Sequence, residues 1–270
     1  MSEDRAVRWE REGHVAHVWL SSPATRNAMG PTFWAQLPQV MAEVSADEQV
    51  RAVALCAEGP AYTVGLDLKT MGGMLIQEGG QVPFRERLLG EIRRLQAAIN
   101  CVADFPLPVV TALQGYCLGG GVDLASACDV RVASADLVLS VREVRMAIVA
   151  DLGSLQRLPH IIGRNHVAEL AYTGRDVGAE RCLQMGLVSQ VLPDADTARQ
   201  AAQQLAAQVA ENSPVVLRGI KQTLRYGESH SVEDGLDQVA HYNAAFLPSD
   251  DLAEAFTAFM ERRDPRFQGR

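Results

Sequence analysis

An α/β fold with a helical C-terminal region is predicted by three observations. Apolar, β-branched runs recur through the first two thirds of the chain. At two places such a run breaks into a glycine-bearing loop and then a helix start, around Gly65 and around Gly119-Gly120-Gly121. From Asp194 onward the apolar spacing is helical almost to the end. With 270 residues and 47% hydrophobic content there is material for one large core or for two compact lobes.

In chain order, the alternation of residues 14–20 predicts a strand paired with residues 7–10 across a turn at Gly13. Pro31 suits the first turn of a helix reaching about Asp47, and Pro38 should kink that helix or delay its start. Residues 51–56 read as a buried strand that runs into the loop 58–68. A glycine-rich stretch, 71–83, reads as mobile, and a long helix over 84–104 is stopped by Phe105-Pro106-Leu107-Pro108. Residues 109–113 form a strand that breaks at Gly115, and a helix opens at the three glycines and ends near Cys128. Short strands follow at 130–133 and 137–140, short helices from Ser154, and a last strand at 188–192. Helices over 194–211, 214–226, 232–246 and 250–263 complete the chain, with no internal repeat.

Several function classes are disfavoured. The net charge is -8 with no basic stripe, which argues against a nucleic-acid partner. Cys56, Cys101, Cys117, Cys128 and Cys182 sit singly in apolar contexts, as buried thiols of a reducing compartment do, and a cytoplasmic location is expected. The N-terminal Met-Ser-Glu-Asp-Arg lacks the layout of a signal peptide. The longest uncharged run, 105–122, carries two prolines and four glycines, so no membrane partner is expected. There is no GxxxxGK, GxGxxG or GxSxG, and the six histidines show no ligand spacing, so neither a metal nor a separate cofactor is expected.

Residues 114–151 carry the chemistry. Glycines lack Cβ atoms, so a ligand can approach the main chain closely, and the free N–H groups of a helix's first turn favour a developing negative charge. A glycine cluster can equally serve close packing of helix on strand. The acids favour the first reading: Asp123, Glu143 and Asp151 all lie in apolar surroundings, where a carboxylate is costly to bury and its pKa rises.

Four segments together carry a resemblance. They are Arg26-Asn27-Ala28-Met29, the loop from Ala61 through Gly65-Leu66-Asp67-Leu68, the stretch from Gly115 through Gly119-Gly120-Gly121 and Asp123 to Asp129, and the closing run from Phe259 to Arg270. From about Val15 to the C-terminus the chain resembles the enoyl-CoA hydratase/isomerase (crotonase) superfamily. The resemblance implies a spiral of ββα units over residues 1–195 that holds the active site. It implies a C-terminal helical trimerisation region over 196–270, a homotrimer or hexamer, and an acyl-CoA thioester as ligand. By position it makes the N–H groups of Leu66 and Gly120 an oxyanion hole. Ala61, Thr63, Gly65 and Asp67 become substrate-binding, with the first three lining the pantetheine groove. Arg26 becomes either a phosphate contact or a solvated loop charge.

The trio Asp123, Glu143 and Asp151, with Gln156-Arg157-Leu158-Pro159 after it, looks like the Δ3,5-Δ2,4-dienoyl-CoA isomerases. In that reading Glu143 is the base at C2, Asp151 the acid at C6 and Asp123 a polarising partner. Glu143 could instead pair with Arg142 or Arg145, and Asp151 could cap the helix from Ser154. Ile148-Val149 departs from the smaller residues expected and could narrow the acyl pocket. The first alternative is a 2-enoyl-CoA hydratase, a lyase of fatty-acid metabolism, with Asp123 and Glu143 on water. The remote one is a non-catalytic acyl-CoA- or RNA-binding member of the fold.

Overall fold

Strand alternation near the N-terminus resolves into a hairpin in the computed structural model, which describes residues 5–75 and 82–270, the side chains of residues 74 and 75 excepted. Strands β1 (Val7–Glu12) and β2 (Val15–Leu20) pair antiparallel about Gly13, as their spacing predicts. Helix α1 (Pro31–Ala46) begins at Pro31 and runs through Pro38, so that proline does not delay its start. It buries Phe33, Trp34, Leu37, Val40, Met41 and Val44, a stripe at helical spacing. Strand β3 (Ala52–Ala57) is buried along its whole length, as a strand covered on both faces must be.

Helix α2 (Leu68–Leu75) follows the first glycine corner. Residues 71–75, read from sequence as part of a mobile stretch, are its last turn, and 82–83 already belong to the next helix, so the expectation fails at both ends. The remainder of that stretch, 76–81, lies outside the described residues. Helix α3 (Val82–Ala103) ends before Phe105, with only its second half buried, through Leu95, Ala98, Ile99 and Val102.

The next segment sets the pattern of the fold. Strand β4 (Val109–Leu113) joins the large sheet, the short β5 (Tyr116–Leu118) joins a small one, and α4 (Gly120–Ala127) returns the chain. Strands β6 (Val130–Ser134) and β7 (Val138–Ser140) repeat that step. One turn earlier, β3 is followed by a one-residue bridge of Thr63 to Cys117, another of Leu66 to Met29, and then by α2. Each turn therefore sets a longer strand in one sheet, a short one in the other and a helix outside. Helices α5 (Ser154–Ile162) and α6 (Arg164–Thr173), strand β8 (Val177–Gly178), helix α7 (Ala179–Gln184) and strand β9 (Val191–Leu192) close the spiral. The large sheet runs β1-β2-β3-β4-β6-β9, parallel from β2 onward, and the small sheet runs β5-β7-β8. The expected strand at 188–192 is only its last two residues, since Leu187 and Val188 are core residues that do not join the ladder.

The large sheet has two apolar faces. Val53, Leu55 and Ala57 face the main core beneath α1 and α3, while Ala52, Ala54 and Cys56 face α8 (Ala195–Ala210). Ala198, Ala202, Ala206 and Ala210 recur every four residues along α8, and their small size lets it lie close on the strands. Helices α9 (Pro214–Gly227), α10 (Val232–Phe246) and α11 (Asp250–Glu261) follow, α10 having no buried residue at all. Asp251 accepts from the N–H groups of Gln268 and Gly269 and holds the C-terminal run to α11.

Candidate active site

The two glycine corners predicted from sequence meet. Met29 donates its N–H to Gly65 O at 2.8 Å and accepts from Asp67 N–H at 3.2 Å, which leaves the intervening N–H of Leu66 turned away from that pairing. Gly120 is the first residue of α4, whose opening N–H groups have no partner inside the helix. A Cβ on Gly65 would stand 3.4 Å from Gly120 N, and one on Gly120 would stand 4.0 Å from Leu66 N. The two amides are neighbours, and among the described residues neither has an acceptor.

The close approach depends on two missing side chains. Gly65 has φ +81°, and a Cβ there would fall 2.5 Å from Leu118 O. At Gly121 a Cβ would fall 2.6 Å from Thr63 Cγ2. Thr63 is the splice between the corners: it donates to Tyr116 O, accepts from Leu118 N–H, and gives its hydroxyl to Asn27 O at 2.6 Å. Asn27 is buried and donates its amide to Glu58 O and Ala61 O, both at 2.9 Å.

These bonds correct part of the sequence expectation. Ala61 and Thr63 are 0% exposed, and they fasten the loop through the Ala61 carbonyl and the Thr63 hydroxyl, so neither side chain lines a groove. Asp67 turns its carboxylate to the start of α2, accepting from Lys69 N–H at 3.0 Å and from the Thr70 hydroxyl at 2.8 Å, and the Thr70 bond holds it below the usual carboxylate range. Arg26 is exposed, with its guanidinium 6.0 Å from the centre of the Tyr116 ring. Of the pair expected to narrow the acyl pocket, Val149 is 75% exposed and Ile148 is half-buried.

The three acids come together beside the free amides. Asp123 lies in the first turn of α4, 1% exposed, and its Oδ1 accepts the N–H of Ser154 at 2.6 Å. Burial raises its pKa to about 6 against the opposing effect of that bond, and the charge of Asp151 adds to the rise. Glu143 opens a 3₁₀ turn (Glu143–Met146), and its Oε1 would stand 3.3 Å from a Cβ on Gly119. Its carboxylate therefore overhangs the start of α4. Burial first, then the charges of Asp123 and Asp151, push its pKa to about 7. Its Oε2 is buried and accepts no hydrogen bond among the described residues. Asp151 is half-buried and also raised by burial.

The alternative roles for the acids do not hold. Arg142 pairs with Asp176 at 2.8 Å and not with Glu143. The helix from Ser154 is capped by Asp123, 31 residues back, and not by Asp151. Sequence reasoning missed that cap, and it missed Gln96, whose Nε2 donates to Asp151 O at 2.7 Å. A cap from a different helix leaves no local spacing to read. For Gln96 the only signal is its place four residues before Asn100 on the same helix face.

In chemical terms the corner pairs two main-chain donors with carboxylates whose pKa values are raised toward neutrality, a set suited to forming an enolate and moving its proton. Comparison with known proteins agrees. The sequence pattern of the enoyl-CoA hydratase/isomerase family matches residues 10–270. The mitochondrial Δ(3,5)-Δ(2,4)-dienoyl-CoA isomerase of Rattus norvegicus is 40% identical over 256 residues, 94% of this chain and 78% of that protein. A peroxisomal protein of the same description from Arabidopsis thaliana is 36% identical over 97% of this chain and 95% of its own length. The crystal structure of an enoyl-CoA hydratase from Bacillus anthracis superposes with a TM-score of 0.90 at 28% identity, covering 98% of this chain and 100% of that one. The spiral of ββα turns is thus the fold expected from sequence, and the chain belongs to the enoyl-CoA hydratase/isomerase family.

Proposed function

We propose that this protein converts 3,5-dienoyl-CoA thioesters to their 2,4-dienoyl isomers. The observation that carries the reading is the gathering of Asp123, Glu143 and Asp151 beside the free N–H groups of Leu66 and Gly120. The thioester oxygen sits between those two amides. Glu143 takes a proton from C2, and the electron pair left there forms a C1–C2 double bond and displaces charge onto that oxygen. A proton then reaches C6 from Asp151 as the pair returns, leaving double bonds at C2 and C4. No water, oxidant or metal enters this balance.

Two acids are needed because C2 and C6 are too far apart for one short carboxylate. The buried, unbonded Oε2 of Glu143 is ready to receive the proton. Asp123 is spent on Ser154 and serves as the fixed charge that keeps the other two from ionising together. Arg26, at the exposed mouth of the loop, is our candidate for the CoA phosphate end, and Gly65 for the main-chain side of the pantetheine groove. Asp67 acts there by holding the start of α2.

The exposed apolar side chains of the last three helices, including Leu224, Val232, Leu236, Phe256, Phe259 and Met260, support assembly of copies into a trimer or a pair of trimers. So does an apolar cavity of about 470 Å³ between α9, α10 and α11. The relatives' names include mitochondrial and peroxisomal proteins. No helix among the described residues is long and apolar enough to cross a membrane. The five free thiols suit a reducing compartment, and our reading keeps the cytoplasm.

Asp151→Asn is the test. Isomerisation, followed by the absorbance of the conjugated product, falls by ~10²–10⁴-fold with acyl-CoA affinity retained. Full activity in that variant would remove Asp151 from the reaction. A second reading, hydration of a 2-enoyl-CoA, is favoured by the Asp123 and Glu143 pair alone. It predicts fast crotonyl-CoA hydration and no change on substituting Asp151.

A further inference from the structure

The segment 151–154 is held at every residue. Gln96 and Asn100 stand four apart on α3 and so share one face. Gln96 Nε2 donates to Asp151 O at 2.7 Å. One turn on, Asn100 Oδ1 accepts from Arg157 Nη2. The same guanidinium donates through Nη1 to Leu152 O at 3.3 Å and lies against Gly153, where a Cβ would collide with it. Ser154 completes the series by donating its N–H to Asp123 Oδ1 at 2.6 Å. Surface loops ordinarily leave such groups to water. Here four successive residues are tied down by side chains from α3, α4 and α5, and the segment carries one ionisable side chain, Asp151.

We propose that Gln96 and Arg157 form a clamp that positions Asp151, Gln96 by holding its carbonyl and Arg157 by holding the two residues after it. The inference rests on Asp151 being the proton donor to C6. An aspartate has two side-chain torsions and a short reach, so it cannot make up for a displaced main chain as a glutamate or lysine could. Where its carboxylate stands is therefore decided by the peptide plane that follows its Cα, and that plane is what Gln96 grips. Glu143 is free of this dependence: it starts a turn on another segment and overhangs Gly119 without touching the clamp. The two proton transfers are thus positioned by separate parts of the molecule, and they can be uncoupled.

Gln96→Met, which keeps the length of the side chain and removes its donor, tests the clamp. Three quantities are read on the full-length protein with a 3,5-dienoyl-CoA in deuterium oxide: kcat for the conjugated product, KM, and deuterium entering C2 of recovered substrate. The expected result is a fall in kcat of about 10²-fold, the scale of a displacement near 1 Å, with KM within about 2-fold of wild type and C2 exchange retained. Retained exchange shows the variant folded and the Glu143 half intact, which a general loosening of the site would not allow. Arg157→Lys, which keeps the charge and loses the two-pronged donor, shows the same split. Wild-type kcat in Gln96→Met overturns the clamp, as does equal loss of isomerisation and C2 exchange. A wild-type enzyme that exchanges C2 but never forms the 2,4-diene overturns the proposed function itself, and is told apart by its effect on the unmutated protein.

Discussion

The two acids that bracket α4 are built oppositely. Asp123, in its first turn, is 1% exposed and makes no ion pair among the described residues, although it feels the charges of Arg157 and Asp151. Asp129, two residues past its end, accepts from Lys221 Nζ at 2.7 Å and from Val109 N–H at 2.7 Å. Lys221 comes from α9 and also donates to Leu107 O, so one buried ammonium fastens the C-terminal helices to the core. The contrast shows what separates a structural carboxylate from a chemical one in this fold. They flank the same short helix, and they differ in burial as well as in partner: Asp123 is enclosed, while the Asp129 side chain is 31% exposed. A neutralised acid holds elements together, while acids buried without an ion pair keep a proton that can be moved.

Four experiments would break or sharpen that contrast. The largest effect belongs to Glu143→Gln, which lowers isomerisation by ~10²–10⁴-fold while leaving acyl-CoA binding intact, as measured by product absorbance and by calorimetric titration. Lys221→Met comes next. It strands Asp129 without its cation and costs ~2–4 kcal/mol in denaturant unfolding, below the full figure for a buried pair because Asp129 is 31% exposed. Activity per folded molecule stays at the wild-type value. An inactive but stable Lys221→Met would invert the roles assigned to the two ends.

The third concerns protons. Folded Glu143 titrates near 7 against 4.5, and folded Asp123 near 6 against 3.8, so between about pH 4 and 7 the unfolded chain gives up protons that the native state keeps. The contribution of these groups to stability is therefore whole below pH 4 and declines as pH rises through that window. Glu143→Gln should match wild type at pH 4 and exceed it by ~1–3 kcal/mol at pH 8. Over the same range kcat/KM of wild type rises with pH through about 7 as Glu143 becomes a base. The smallest effect is that of Arg142→Ala, which breaks an exposed pair with Asp176 and changes stability by ~0.2–1 kcal/mol without altering activity. A large loss of activity there would mean that Glu143 leans on Arg142 after all.

Much of this was legible in the residues. Turning a strand sharply into a helix demands glycine, so Gly65 and the triple glycine announced both corners as separate donors, while their meeting was implied only by the family resemblance. The acids were visible because carboxylates in apolar sequence need a reason to be there. What spacing could not show is contact across the fold. Thr63 is a polar residue in a loop by sequence, yet its bridge to Cys117 buries it fully. Asp123 caps a helix that begins 31 residues later, and Gln96 meets Asp151 across 55 residues. The segment 71–75 looked mobile because glycine disfavours helix, yet Met71 is 6% exposed and that packing carries the helix through Gly72 and Gly73. Strands of two or three residues such as β5 and β8 are fixed by pairing and leave too few positions for an alternation to register.

The splice between Thr63 and the β5 strand has a consequence for descent. The electrophilic half of this centre is written in peptide groups, which every residue possesses, and its spacing is set by a ladder contact. Substitutions at the acids can therefore exchange one reaction for another without dismantling the grip on the carbonyl. A lineage carrying such a splice can explore new substrates from a working start, provided that two glycines stay where they are.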